Sequence, residues 1–260
     1  MKQPKLSLII AYTASKDEFR YKALAKLMDC IKNQTFKDFE VILVEDTQGR
    51  GISQFPFKKK VDKVIVLLDP EMRKFNKAWV MNVGARYANT EHLIFQDADC
   101  QWGNDFIEKI WEKIQTGTVL FSCWNIYYCL PGRNNPNLRI CPITHVNALL
   151  GAFYCNSNFF FNELGGYNEN YFGYGAEDND IWERAKFLLT EIPYMKYTIE
   201  HNYHHWHPVD GANPLNKLRM KILANTIAYP KQVIDKLLKI KVGDSRKPKC
   251  IKLEGENDLS

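Results

Sequence analysis

Residues 92–99 have the sequence HLIFQDAD, in which an apolar run passes directly into the carboxylates of Asp97 and Asp99. A short continuous apolar run is typical of a strand that is buried on both faces of a sheet. Earlier runs of the same kind are LSLIIAY at residues 6–12, FEVILV at residues 39–44 and VDKVIVLL at residues 61–68. The four runs predict neighbouring strands of one buried sheet.

Segments with apolar residues at helical spacing alternate with these runs. They are residues 19–32, 77–88, 105–114 and 176–189. Alternating strands and helices predict an α/β fold with a mostly parallel sheet. Ligands of such sheets bind beyond the carboxyl ends of the strands. Because Glu45-Asp46 and Asp97-Ala98-Asp99 follow two of the predicted strands, we expect them to form two halves of one pocket.

The composition predicts one large core. The chain has 260 residues, of which 45% are apolar, and a formal net charge of +5. That charge alone does not distinguish an anionic ligand from a membrane surface or a nucleic acid. Seven cysteines without a CxxC pair predict reduced thiols. Because the apolar run near the start is too short to cross a bilayer, we expect a cytoplasmic enzyme.

Two parts of the chain differ in composition. We expect one main α/β domain over residues 1–228. Residues 229–260 form a basic tail with an amphipathic stretch. Such a stretch either packs on the domain as a solvated helix or docks peripherally on an anionic membrane face. Both arrangements stay open.

The pair Asp97 and Asp99 is a candidate metal site. Two carboxylates one residue apart can aim at a hard cation such as Mn²⁺ or Mg²⁺, which neutralises a diphosphate leaving group. A short acidic turn that only faces water is the alternative. Further along, in the sequence HHWHP at residues 204–208, His205 and His207 share one side of an extended segment. Imidazoles can complete a manganese site that carboxylates begin, although a histidine cluster without an ion explains the segment equally well.

Residues 171–180 have the sequence YFGYGAEDND, an aromatic and glycine-rich turn before a predicted helix. Helix N-termini favour acids by about 0.3–1 kcal/mol for electrostatic reasons, so Glu177, Asp178 and Asp180 need no catalytic explanation individually. The run Glu-Asp-Asn-Asp after Gly-Tyr-Gly nevertheless exceeds what a helix cap requires. The turn is therefore a candidate for sugar and base contacts.

These motifs together resemble the β-1,4-galactosyltransferase family. The segments that carry the resemblance are FNKA at residues 75–78, NVG at 82–84, FQDAD at 95–99, GGY at 165–167 and FGYGAEDND at 172–180. The first third, with QTFKDFEVI at residues 34–42, is similar to bacterial family-two glycosyltransferases. Both families share the GT-A fold, and the resemblance covers roughly residues 5–215. It implies a nucleotide-binding sheet flanked by helices, with a smaller acceptor-side region. Within the catalytic domain of residues 1–228, it implies a nucleotide-binding half at residues 1–100 and an acceptor and catalytic half at residues 101–228.

The resemblance implies a UDP-sugar site with a metal ion. Glu45 and Asp46 would contact the uracil and ribose, and Phe75 and Lys77 would lie beside the nucleotide. The remaining donor residues implied are Tyr12, Asn82, Asp97 and Gly151. The implied metal is Mn²⁺ or Mg²⁺, and its ligands are Asp99, supported by Asp97, and His205 and His207 jointly.

The resemblance also implies an inverting single displacement. Asp178 occupies the position of the general base, which takes the proton of the acceptor hydroxyl. Glu177 would hold sugar hydroxyls, and Tyr174 and Asp180 would contact the acceptor. Tyr174 stands where vertebrate members have tryptophan, and Asn179 replaces the third acid of the family's acidic run. The acceptor can therefore differ from that of the vertebrate enzymes.

The expected reaction is hexose transfer, with galactose or N-acetylgalactosamine as the donor sugar. The expected acceptor is a glycan or lipid-linked glycan of a bacterial capsule, lipopolysaccharide or other surface polysaccharide. One alternative is a sugar-nucleotide nucleotidyltransferase, but its Gly-rich basic segment is missing from LIIAYT at residues 8–13. A non-catalytic glycan- or nucleotide-binding module is another. RNA-binding signatures are absent, and we expect no nucleic-acid partner.

Overall fold

The computed structural model describes most of the chain. The described residues are 3–13, 18–47, 61–68, 74–123, 127–130, 139–142, 148–173, 175–193, 195, 203–205, 213–218, 229–243 and 249–254. The strands are β1 (Leu6–Tyr12), β2 (Phe39–Asp46), β3 (Lys63–Leu68), β4 (His92–Asp97), β5 (Cys100–Gln101), β6 (Leu120–Ser122), β7 (Tyr127–Leu130), β8 (Arg139–Pro142), β9 (Ala152–Asn156), β10 (Tyr203–His205) and β11 (Lys249–Glu254). The helices are α1 (Glu18–Lys32), α2 (Lys77–Arg86), α3 (Phe106–Ile114), α4 (Glu177–Leu188), α5 (214–218) and α6 (Tyr229–Leu237), and Phe159–Glu163 form a π-helical turn.

A seven-stranded sheet occupies the centre of the fold, in the order β11-β3-β2-β1-β4-β9-β6. The four strands predicted from the apolar runs, β1 to β4, are parallel to one another. Strands β9 and β11 run antiparallel to β4 and β3, and β6 runs antiparallel to β9. The prediction of a mostly parallel nucleotide-binding type of sheet flanked by helices is confirmed.

Successive residues of the central strands enter two apolar cores, one on each face of the sheet. Leu8 and Ile10 belong to the core that includes residues of α1 and α3. Ile9 belongs to the opposite core, with residues of α2 and α4. Helix α2 lies so close to the sheet that a Cβ on Gly84 would collide with Ile9 and press on Val44. Glycine at this position therefore permits the close packing that brings the start of α2 to the sheet edge.

A second sheet has the strand order β5-β10-β7-β8. Strand β5 begins three residues after β4 ends, and its antiparallel pairing with β10 sets His204 opposite Cys100. The weak strand patterns of residues 119–161 did not predict this sheet. It matters for the site because it brings a segment from late in the chain against the end of the Asp97-Ala98-Asp99 motif.

The described part of residues 229–260 packs on the domain, which is one of the two arrangements expected for it. Val233 and Leu237 of α6 pack together with Val242 and against Phe161. Strand β11 pairs with β3 along the edge of the large sheet. The main apolar face of α6 is therefore covered by the protein itself. Within the described ranges, no helix is long and apolar enough to cross a bilayer.

Candidate active site at the ends of the parallel strands

The carboxyl ends of β1, β2 and β4 lie side by side at one edge of the large sheet. Tyr12 pairs with Glu45 in the register of β1 with β2, and Ala11 pairs with Asp97 in the register of β1 with β4. The two acidic clusters predicted to share a pocket are therefore at the same edge. This proximity follows from the parallel pairing, because parallel strands present their carboxyl ends together.

The residues expected beside the nucleotide are largely buried at this edge. Tyr12 is 7% exposed, Glu45 is fully buried, and Asp46 is 2% exposed. The Oδ2 atom of Asp46 accepts a hydrogen bond from the N–H of Asn76, the residue that caps α2, at 3.3 Å. Phe75 is half-buried and packs against the core beneath α2. Contacts of these residues with a nucleotide stay predictions.

Lys77 draws three carboxylates together. Its Nζ atom lies 2.6 Å from Oδ1 of Asp97, 2.8 Å from Oδ2 of Asp178 and 3.8 Å from Oε1 of Glu177. Lys77 begins α2, Asp97 ends β4, and the other two carboxylates begin α4. One ammonium group therefore joins three elements, and the cluster has more negative than positive charge.

This charge cluster changes the pKa of both Asp178 and Lys77. Burial raises the pKa of Asp178 well above its ordinary value, Lys77 opposes this increase, and Glu177 and Asp97 add to it. Burial lowers the pKa of Lys77, but Asp178, Asp97 and Glu177 more than offset this and raise it well above its ordinary value. Lys77 thus stays charged, and the Asp178 carboxylate is a stronger base than an exposed aspartate.

Further contacts hold Asp178 in place. Its backbone carbonyl accepts the N–H of Leu149 at 3.0 Å, and the hydroxyl of Tyr167 donates to its Oδ1 atom at 3.4 Å. Burial raises the pKa of Tyr167 well above its ordinary value, so this hydroxyl keeps its proton. The residue before α4, Ala176, has a φ of 79°. For a residue other than glycine this backbone conformation costs about 1–3 kcal/mol and is found at functional sites.

Glu177 has one oxygen without a hydrogen-bond partner within the described part of the chain. This buried atom is Oε2, while Oε1 faces Lys77. Buried carboxylate oxygens normally accept hydrogen bonds. An oxygen that can accept a further hydrogen bond is therefore present at the start of α4, and its contact with a sugar hydroxyl stays a prediction.

Asp97 and Gly151 exchange two hydrogen bonds. The Gly151 N–H donates to Oδ2 of Asp97 at 3.1 Å, and the Asp97 N–H donates to the Gly151 carbonyl at 2.7 Å. Gly151 has a φ of 69°, in the left-handed region that favours glycine. The side-chain amide of Gln96 donates to the Asp97 carbonyl at 2.6 Å and points at the Cys100 carbonyl at 3.5 Å. Gln96 therefore closes the turn that carries the metal motif, a role that the sequence did not reveal.

Asp99, Cys100 and His204 form a group of potential metal ligands. Their ligand atoms all lie within 4.8 Å of one another. Oδ2 of Asp99 is 3.4 Å from Nε2 of His204, and Sγ of Cys100 is 3.7 Å from Oδ1 of Asp99. Burial raises the pKa of the Cys100 thiol well above its ordinary value, and Asp99 raises it further. The group combines an oxygen, a nitrogen and a sulfur ligand.

This group overlaps only in part with the metal ligands that the resemblance implies, which stay predictions. Asp99 is in the group, but the histidine that reaches it is His204, because the register of β10 with β5 sets this residue beside Cys100. Asp97, expected to support the metal, is instead paired with Lys77. The side chain of His205 and the whole of His207 lie outside the described residues.

Two residues expected to contact ligands have hydrogen-bond partners within the fold. Asn82 is fully buried, and its amide exchanges two hydrogen bonds of 2.9 Å with the backbone of Tyr167. Asp180 is also fully buried, and its Oδ2 lies 2.8 Å from Nε of Arg184. Both side chains are thus bonded within the fold, and the expected donor contact of Asn82 and acceptor contact of Asp180 stay predictions. Tyr174, the other acceptor residue expected, lies outside the described residues.

Comparison with curated proteins gives two kinds of relative. The chain is 28% identical to human beta-1,4-galactosyltransferase 4 over 176 residues, which are 62% of this chain and 43% of that protein. It is 27% identical to the amylovoran biosynthesis glycosyltransferase AmsB of Erwinia amylovora over 112 residues, which are 42% of this chain and 35% of that protein. The matches span less than half the length of these relatives.

Solved structures resemble the fold more completely. The structure of S. aureus TarS 1-349 in complex with UDP-GlcNAc has a TM-score of 0.63 and 16% identity, covering 90% of this chain and 71% of that chain. Its complex with UDP has a TM-score of 0.60 and 15% identity, covering 90% and 69%. This likeness shows the GT-A fold that the sequence predicted. The model of the family described as "Glycosyl transferase family 2" matches residues 8–175, well over half of the chain. This chain therefore belongs to glycosyl transferase family 2.

Proposed function

We propose that this protein transfers a hexose from a UDP-sugar to a glycan acceptor and inverts the anomeric carbon. The observation that carries the proposal is the buried Asp178 carboxylate, whose pKa is raised and which is held between Lys77 and Tyr167. The UDP-GlcNAc of the TarS complex supports a UDP-sugar donor, and the name of the human relative supports galactose as the transferred sugar. Galactose and N-acetylgalactosamine are the proposed donor sugars.

Asp178 acts as the general base. It takes the proton of the acceptor hydroxyl while that oxygen forms a bond with the anomeric carbon. The bond from this carbon to the diphosphate breaks on the opposite face, and the diphosphate leaves with the electron pair. Lys77 contacts both Asp97 and Asp178. Its positive charge therefore lies between the proposed UDP-sugar site at Asp97 and the base Asp178. The Oε2 atom of Glu177 accepts a hydrogen bond from a sugar hydroxyl.

Asp99 and His204 would hold a divalent metal ion, Mn²⁺ or Mg²⁺. Their facing oxygen and nitrogen atoms are 3.4 Å apart. Two ligands that share an ion at bond lengths of about 2.0–2.2 Å are separated by about 3–3.5 Å, so the two side chains fit a common ion. When bound, the metal neutralises negative charge on the diphosphate.

Changing Asp99 to Ala is expected to weaken Mn²⁺-dependent binding of UDP by about 10- to 100-fold or more, since even supporting residues of metal sites contribute that much. Calorimetric titration of UDP with and without Mn²⁺ measures the change. Asp105→Ala is the matched control, because Asp105 is half-exposed and pairs with Lys109 on the surface of α3. Unchanged UDP affinity in Asp99→Ala, or full transfer activity in excess chelator, would refute the metal site.

A panel of nucleotide sugars tests the activity itself. The protein is incubated with each donor and Mn²⁺, with and without glycan acceptors, and released nucleoside diphosphate is measured. Release of UDP that increases with an acceptor is the expected result. Consumption of UTP together with a sugar phosphate would indicate a nucleotidyltransferase instead. Binding without any turnover would indicate a non-catalytic module.

The proposed acceptors are glycans or lipid-linked glycans of bacterial capsule, lipopolysaccharide or other surface polysaccharides. The similarity to a glycosyltransferase of amylovoran biosynthesis supports this part of the proposal. Lipid-linked acceptors would place the reaction at the inner face of a bacterial membrane. A peripheral protein there needs a surface that binds anionic lipid.

The residues that follow α6 offer such a surface. Leu238 and Ile240 are 44% and 49% exposed and alternate with the exposed Lys239 and Lys241. Apolar side chains among lysines favour anionic membrane surfaces. The double change of Leu238 and Ile240 to Ser is expected to reduce flotation with phosphatidylglycerol vesicles severalfold.

The matched control for the flotation experiment is the double change of Leu215 and Leu218 to Ser. These leucines of α5 are 60% and 54% exposed. We expect the control to float like the unaltered protein. Vesicles of phosphatidylcholine alone should capture neither variant. Equal flotation of both double variants, or no flotation of the unaltered protein, would reject the membrane contact.

A further inference from the structure

Cys100 lies beside the two proposed metal ligands. Its Sγ atom is 3.7 Å from Oδ1 of Asp99, and its distance to the His204 ligand nitrogen is within 4.8 Å. We propose that Cys100 is a third ligand, so that the site takes thiophilic divalent cations such as Zn²⁺, Co²⁺ or Cd²⁺ in preference to Mg²⁺. The inference rests on the proposed function only in assuming that Asp99 and His204 bind a metal.

The distances agree with those around a tetrahedral ion. Bonds of about 2.0–2.3 Å to oxygen, nitrogen and sulfur place neighbouring ligand atoms about 3.3–3.8 Å apart. His204 is 3.4 Å from Oδ2 of Asp99 and Cys100 is 3.7 Å from Oδ1, so each separation falls in this range through a different oxygen of the carboxylate. The ligand atoms of Cys100 and His204 lie within 4.8 Å of each other.

The surroundings of Cys100 differ from those of two other buried cysteines, Cys123 and Cys155. Cys123 and Cys155 are members of the two apolar cores. Cys100 is only 3% exposed but borders a carboxylate and an imidazole. The pairing of β10 with β5 brings His204 to this carboxylate, and the Cys100 thiol donates a hydrogen bond to the same carboxylate. A cation shared by the three side chains would use this arrangement.

Sulfur changes the metal preference of the site. Carboxylate and water ligands suit Mg²⁺ and Mn²⁺, whereas thiolate and imidazole ligands suit softer ions such as Zn²⁺. Three protein ligands also leave a fourth position for water or a diphosphate oxygen, as in catalytic zinc sites. The site would therefore bind a zinc-like ion firmly and still admit the donor.

The test is a Co²⁺ titration of the full chain, followed by visible and near-ultraviolet absorption. We expect visible bands of the strength typical of tetrahedral cobalt, together with a thiolate-to-cobalt charge-transfer band. Cys100→Ser should lose the charge-transfer band and keep the visible bands. Cys155→Ser, a buried cysteine of the apolar core, is the matched control and should keep both.

A second measurement uses the unaltered protein and does not depend on the folding of a variant. The chemical shift of bound ¹¹³Cd distinguishes a site with one sulfur ligand from one with oxygen and nitrogen ligands alone. The ratio of Cd²⁺ to Mn²⁺ affinity should also fall by about 10-fold or more in Cys100→Ser, which is the scale on which metal-site substitutions act.

The results also separate this inference from the proposed function. Two results would overturn the role of Cys100 and still support the metal site. One is a cobalt spectrum that depends on Asp99 but has no thiolate-to-cobalt charge-transfer band. The other is a charge-transfer band that persists in Cys100→Ser. Absence of any Asp99-dependent cobalt or cadmium signal would overturn both. UDP binding can also require Mn²⁺ and Asp99 and yet be identical in Cys100→Ser. If the metal preference of Cys100→Ser is unchanged as well, Cys100 is rejected as a ligand and the proposed metal site is retained.

Discussion

Replacing Asp178 by Asn is expected to slow sugar transfer by about 10²- to 10⁴-fold, the usual contribution of a general base. Asparagine keeps the shape of the side chain and can still receive a hydrogen bond from Tyr167, but it cannot take a proton from the acceptor. Binding of UDP should change little, because the proposed metal ligands are untouched. Single-turnover rates and calorimetric UDP affinity give the two quantities.

The pH dependence provides an independent check on Asp178. A base must be deprotonated, and the pKa of this buried carboxyl lies well above that of an ordinary aspartate. The transfer rate should therefore fall as the pH decreases through this raised pKa, and Asp178→Asn should lack that limb. Glu183→Gln, a half-buried change on the same helix, is the control. Unchanged turnover in Asp178→Asn would remove Asp178 from the mechanism.

Replacing Arg184 by Met is expected to lower the free energy of unfolding by about 3–5 kcal/mol, as is found when one partner of a buried ion pair is removed. Arg184 is completely buried, and its Nη2 lies 2.7 Å from Oδ2 of Asp180. Its Nη1 also donates to the backbone carbonyls of Leu164 and Gly166. The substitution leaves a buried carboxylate and two carbonyls without these donors. Urea unfolding followed by circular dichroism measures the loss.

Two further variants sharpen the interpretation of Arg184→Met. Lys186→Met, an exposed change on the same helix, should alter stability by less than about 0.5 kcal/mol. The double change of Asp180 to Leu and Arg184 to Met should be more stable than Arg184→Met alone, because it removes the buried unpaired charge. A loss below about 1 kcal/mol in Arg184→Met would show that the pair does not hold this region together.

The buried pair also matters for the candidate site. Arg184 binds the chain on both sides of Gly165, and Tyr167 follows immediately. Asn82 fixes the backbone of Tyr167 from α2. Tyr167 in turn donates to Asp178. A structural core of polar side chains therefore supports the proposed base, although none of these supporting residues needs to touch a substrate.

Much of the fold was predictable because its signals are local. The apolar runs that became β1 to β4 are continuous, and the helical spacing that became α1, α2, α3 and α4 repeats over several turns. Parallel pairing then sets Glu45, Asp46 and Asp97 at one edge of the sheet without further information. The family resemblance added Asp178 and Lys77 as candidates, and the structure brings these two into direct contact.

The potential metal ligands show the limit of prediction from sequence patterns. The alternation of an extended segment correctly separates His204 from His205, but it does not say which of them faces Asp99. The pairing of β10 with β5 decides this, and a shift by one residue would exchange the two histidines. The short strands of the second sheet carry little pattern of their own. Their register depends on contacts with residues far away in the chain.

Burial decided the roles of the remaining polar residues. The sequence by itself determined the strand and helix order, the acidic strand ends and the acids at the start of α4. Only the tertiary structure decided that Asn82 and Asp180 are fully buried and that Cys100 and His204 lie beside Asp99. Periodic patterns record which face of an element is apolar, whereas the partner of a single polar side chain depends on long-range packing that no local pattern contains.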